Sequence, residues 1–159
     1  MMTKHPQIES LFQEYVTQTS SKLEFRFFPT LITYFPGLLI IAADGVVDEE
    51  EWYHVEQLVN FMTKTFENEI ADEAAQEKLA KEFLANMQIL VDSLKTWEEK
   101  FLNALGILFE QMSEDDAEDT KELVYEIMEM FAESSDGISD EEQDKIDVIS
   151  QRLKLINED

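Results

Sequence analysis

Twice in this chain an apolar run closes on an Asp-Gly pair and a helix-start signal follows almost at once. No other feature limits the fold as strongly. The first copy reads Ile40-Ile41-Ala42-Ala43-Asp44-Gly45-Val46-Val47-Asp48-Glu49-Glu50-Glu51. The second reads Phe131-Ala132-Glu133-Ser134-Ser135-Asp136-Gly137-Ile138-Ser139-Asp140-Glu141-Glu142. Glycine enters the left-handed conformation that ends a helix with no Cβ penalty, so each Asp-Gly reads as a helix C-terminus. Asp48 with Glu51, and Ser139 with Glu142, have the spacing of a capping box and mark the next helix N-terminus. Beyond the turns, Val55, Leu58 and Met62 form one apolar stripe, and Ile146, Ile149 and Leu153 repeat its spacing. In the second copy cap and stripe shift together by one residue, as a loop shortened by one residue requires.

Helical periodicity dominates the remainder. Ile8, Leu11, Phe12 and Tyr15 mark a first helix after Pro6. Residues 20–29 read two ways: Ser21 and Glu24 suit a short capped helix, whereas Leu23, Phe25 and Phe27 alternate as in a strand, and Pro29 is expected to end either. The next helix runs to Ala43 and is apolar all round, which predicts a buried central position. Pro36 is expected to kink it or to begin its last section. A third helix is predicted from Asp48 to about Phe66, with Trp52, Val55, Val59, Met62 and Phe66 inward. A fourth covers roughly Glu69 to Lys95. Thr96, with Glu99, is expected to cap a fifth that carries Trp97, Phe101, Leu105, Leu108 and Met112. A sixth begins near Ser113 and carries Leu123, Ile127, Met130 and Phe131; a seventh carries Ile146, Ile149, Leu153 and Ile156. The predicted fold class is all-α: one compact bundle of about seven helices with two pseudo-symmetric helix–AspGly–helix halves.

The 159 residues suffice for one domain with a sizeable core, and 44% hydrophobic content separates the chain from a disordered acidic tail. The 12 basic and 36 acidic residues give a net charge of −24. That sign argues against nucleic acid, whose phosphates require a basic surface, and against anionic membranes. Cations and basic protein surfaces are the natural partners. The excess is uneven: residues 1–47 carry −1, residues 48–112 carry −10 and residues 113–159 carry −13. There is no cysteine, which excludes disulfide and thiolate chemistry and suits a reducing cytoplasm. The N-terminus has no signal-peptide core, and the longest apolar stretch, Leu31 to Ala43, falls below the ~20 residues that span a bilayer.

Neither Asp-Gly turn is an EF-hand. With Asp44 at the fifth loop position, the first and third positions fall on Ile40 and Ala42, which have no side-chain oxygen; in the second copy the last position falls on Gln143. Two readings of the duplicated turn remain. If the two halves pack by pseudo-symmetry, Asp44, Glu50, Glu51, Asp136, Glu141 and Glu142 converge, and a hard cation relieves their repulsion. Alternatively the aspartates only satisfy turn backbone and the glutamates only cap helices. A carboxylate-bridged di-iron site fares worse. It needs two Glu-x-x-His pairs, whereas Glu51-x-x-His54 stands alone and the second histidine is His5. No nucleophile motif and no phosphate loop is present, so no catalytic residue is assigned.

The segment Ala42 to Glu51 resembles the signature turn of TerB-like tellurite-resistance domains, and Ser135 to Glu142 resembles the second such turn. The likeness covers roughly residues 30–159, with residues 1–29 as an N-terminal helix and connecting segment packed onto the same domain. Glu133 and Ser134 depart from the small apolar residues usual before the turn. The resemblance implies an all-helical fold in two halves and a divalent-cation site built from the acidic residues of both turns. Oxygen ligands favour calcium, magnesium or manganese, with zinc less favoured despite His54. The expectation is therefore a non-enzymatic, cation-binding, cytoplasmic stress-response domain. The alternative is an acidic protein-interaction module that meets a basic partner without metal.

Overall fold

α2 (Phe28–Ile41) has no charged residue, and its side chains are buried around nearly the whole circumference. Such a helix is stable only where other helices cover it. In the computed structural model, which describes residues 6–43, 47–133 and 139–155, that cover leaves only Pro29, Thr30 and Thr33 of α2 partly exposed. α6 (Glu114–Glu133) packs on α2 most extensively, followed by α5 (Leu94–Gln111) and α3 (Glu49–Lys64). α1 (Pro6–Thr19) lies against α5, α4 (Glu73–Asp92) against α3, and α7 (Asp140–Leu153) against α6 and α2. The described residues thus form an all-α bundle of seven α-helices, with one short 3-10 turn at Phe25–Phe27 and no strand. No helix among them is long and apolar enough to cross a membrane.

The centre is aromatic. Tyr15 meets Trp97 at 5.2 Å and Phe101 at 5.6 Å, and Phe35 meets Phe101 at 5.0 Å. A second cluster joins Phe27 to Phe66 at 4.8 Å and to Phe83. One polar group is buried among these rings. Asn86 Oδ1 accepts hydrogen bonds from Tyr15 Oη and from Ser21 Oγ, each at 2.7 Å, while its Nδ2 donates to the Glu82 carbonyl. A buried amide satisfied on both sides ties α1 and the segment after it to α4.

Several element ends differ from the sequence expectation, each for a local reason. Pro29 does not end a helix; it sits in the first turn of α2, where no N–H donor is needed and its fixed φ suits the helix. Pro36 does not begin a separate section, because α2 runs through it as one element. α4 starts at Glu73, with Asp72 accepting from the Ala75 N–H, and stops at Asp92. α5 begins at Leu94 and not at Thr96. Ser93 forms the corner, its hydroxyl donating back to the Ile89 carbonyl, and Glu99 pairs with Arg152 at 2.8 Å instead of capping. On α6, Leu123 and Met130 are not core residues. The buried face is Val124, Ile127, Met128 and Phe131. Phe66 lies beyond α3 but is buried, and Trp52 is only partly so. Ile156 lies outside the described residues.

Candidate functional site

Both helix-start signals form as their residues dictate. The Glu51 N–H donates to Asp48 Oδ1 at 2.9 Å, and Glu51 Oε1 accepts from the Asp48 N–H at 3.2 Å. The Glu142 N–H donates to Ser139 Oγ at 3.1 Å, and Glu142 Oε1 accepts from the Ser139 N–H at 3.0 Å. Each cap is followed by three acidic residues in the first turn, Glu49 to Glu51 on α3 and Asp140 to Glu142 on α7. The positive end of the helix dipole favours them there.

The relative placement of the two junctions follows from contacts at two levels. At the first level a Cβ on Gly37 of α2 would meet both Leu58 of α3 and Ile127 of α6. At the second, His54 of α3 packs on Phe131 of α6, with ring centroids 5.9 Å apart. Each member of the second pair is four residues, or about 6 Å, from its partner in the first. On α3 the step runs back toward the N-terminus; on α6 it runs on toward the C-terminus. α3 and α6 are therefore antiparallel; α2 is antiparallel to α3, because Phe27 just before α2 meets Phe66 just after α3 while Gly37 meets Leu58, and so α2 runs parallel to α6. The end of α2, the start of α3, the end of α6 and the start of α7 all lie at one end of the bundle. An open cleft of about 560 Å³ at this end includes Ala42 and Ala43 after α2, Ser93 and Leu94 at the α4–α5 corner, and Lys145 of α7.

Of the six predicted ligands, the structure brings four to this end. Glu50 and Glu141 are exposed in the first turns of α3 and α7, and Glu51 and Glu142 are held in the capping boxes. Asp44 and Asp136 lie outside the described residues. Among the described residues no group of three or more His, Asp or Glu side chains is arranged to hold a metal ion. His54 Nδ1 lies 3.3 Å from Gln57 Oε1, and its ring packs on Tyr53 and Phe131.

The sequence reading missed Lys145. It pairs with Glu98 of α5 at 2.9 Å and so links α7 to the corner beside the cleft. No local signal marks such a pair, because its members belong to different helices far apart in the chain. No protein-family profile, curated protein or solved structure matches this chain.

Proposed function

We propose that the chain is a non-enzymatic helical domain that binds a divalent cation through the acidic residues of its two Asp-Gly turns, in a role of the tellurite-resistance or stress-response type. The observation that carries this reading is the arrival of both junctions at one end of the bundle. A shared site requires that arrangement, and a chain with its turns at opposite ends has no means of building one. Asp44 and Asp136 supply the turn oxygens, and Glu50 and Glu141 are the freer helix-borne donors. Glu51 and Glu142 each keep one oxygen on a backbone N–H. An all-oxygen set suits calcium, magnesium or manganese.

A cation that binds only the folded form stabilises it by RT ln(1 + [L]/Kd), about 2.7 kcal/mol at a hundredfold excess over Kd. Thermal melting in millimolar calcium, magnesium, manganese and zinc, each at matched ionic strength, tests the reading. At least one cation is expected to raise Tm. Asp44→Asn and Asp136→Asn are each expected to remove most of that rise, and to be neutral or mildly stabilising in chelator because they relieve repulsion. Melting curves unchanged by all four cations would reject a cation-binding role.

A further inference from the structure

Gly37 is the point at which three helices meet. A Cβ there would lie 2.8 Å from Ile127 Cγ2 of α6 and 3.2 Å from Leu58 Cδ1 of α3, so the two helices lie side by side on one face of α2. Four residues before Leu58 stands His54, and three after it Phe61. The same offsets from Ile127 give Leu123 and Met130. Residues at these offsets share a helix face. The opposite flanks are occupied. Phe66, just past α3, packs against Phe83 of α4, while on α6 Lys121 lies over the Phe109 ring of α5 and Tyr125 lines a cleft shared with Lys154 and Leu155 after α7. By these offsets the remaining flanks are the ones that face each other across the line between α3 and α6, forming a groove above the buried Leu58, Gly37 and Ile127, and the contact of His54 with Phe131 joins the two helices at one end.

The walls of this groove are unusually apolar for a chain so charged. Phe61, Leu123 and Met130 are 38%, 39% and 40% exposed, and they make up three of the five large apolar side chains exposed among the described residues. Contiguous exposed apolar surface rimmed by charge marks an interaction site more often than scattered exposure does. The rim on α6 is acidic throughout: Asp119, Glu126 and Glu133 repeat the offsets of Leu123 and Met130 one step further out, and all are exposed. Across the groove, Glu50 occupies the corresponding position before His54.

We propose that the groove between α3 and α6 docks a basic amphipathic helix of a partner protein, with its apolar stripe on Phe61, Leu123 and Met130 and its flanking Lys or Arg on Asp119, Glu126 and Glu133. Charge decides between occupants. A second copy of this chain would set one acidic rim against another within a pair already carrying −24 on each member, and an anionic membrane surface is repelled for the same reason. A helix with apolar residues three and four apart matches the line of walls, and methionine adapts its shape to the ridge it meets. The inference is independent of any cation at the Asp-Gly turns.

The test uses the full chain and a fluorescein-labelled synthetic peptide with Leu at helical i, i+3, i+4 and i+7 positions and Lys elsewhere. Anisotropy in near-physiological salt is expected to show binding, and a peptide of the same composition with the stripe scrambled is expected to bind at least tenfold more weakly. The double variant Leu123→Ser with Met130→Ser should lose on the order of tenfold in affinity. Val148→Ser, at an apolar residue exposed on α7, should lose none. In the unmodified chain, peptide binding should slow amide hydrogen exchange in α3 and α6, a readout that does not depend on any variant folding. Equal binding of the scrambled peptide, an equal loss in Val148→Ser, or protection confined to other helices would overturn the proposal. So would a concentration-dependent dimer in sedimentation that the double variant abolishes, since the groove would then be a self-association surface.

Discussion

Asn86 shows how much one side chain can hold. Its carbonyl oxygen receives the hydroxyls of Tyr15 and Ser21, and Tyr15 is fully buried. Asn86→Ala leaves a buried phenol without its acceptor, so a loss of ~1–3 kcal/mol is expected in urea unfolding. Tyr15 also makes stability depend on alkaline pH. Burial holds its pKa well above the ordinary 10.0, so the folded chain keeps a proton that the unfolded chain releases. Stability is complete below about pH 10 and falls as pH rises past it, by up to ~1.4 kcal/mol per unit. Unfolding free energies measured from about pH 9 to pH 12 should show this slope, and Tyr15→Phe should flatten it. Gly37→Ala sets a helix-propensity gain of up to ~1 kcal/mol against a methyl 2.8 Å from the branched Ile127 side chain. Branched side chains have little rotamer freedom with which to yield. A net loss of ~1–3 kcal/mol is expected, because α6 must move off α2.

Among the helices, the two capping boxes are the clearest case of local sequence setting an element boundary. Asp48→Ala and Ser139→Ala each remove the acceptor of one first-turn N–H and should cost ~1 kcal/mol in thermal or chemical denaturation. Unchanged stability in both variants would mean that α3 and α7 begin elsewhere. The α4–α5 corner behaves differently. Ser93 has the chemistry of a cap but spends its hydroxyl on the Ile89 carbonyl, so α5 starts without a side-chain cap. Apolar residues run through the corner from Leu90 to Trp97, so periodicity shows no break there. The exposed flank of α6 escaped the sequence for a related reason. Leu123 and Met130 stand one helical step from Ile127, and only the position of α3 decides which stripe is covered.

Across the whole molecule, −24 charges on 159 residues oppose compaction. The ion pairs seen, Arg26–Glu24, Lys100–Glu14, Lys145–Glu98 and Arg152–Glu99, lie on the surface and are worth little individually. Raising sodium chloride from ~10 mM to ~0.5 M, which cuts the screening length from ~30 Å to a few ångströms, should therefore raise Tm by a few degrees. A fall in Tm would show that these pairs outweigh the repulsion. The same titration supplies the monovalent baseline against which any divalent effect is judged.

By itself the sequence determined the helical class, the buried charge-free central helix and the starts of α3 and α7. All three rest on interactions within a few residues: periodic apolar spacing, a side chain reaching its own helix end, and the absence of charge over fourteen positions. It also placed acidic first turns beside both Asp-Gly pairs. Only the tertiary structure decided that α2 runs parallel to α6, and hence that both junctions share one end. That depends on Gly37 admitting Leu58 and Ile127 together and on His54 meeting Phe131, contacts between residues far apart in the chain. The groove between α3 and α6 belongs to the same class of fact. Its walls are ordinary amphipathic positions until two helices are set side by side, and a stripe is core or surface according to what another helix covers.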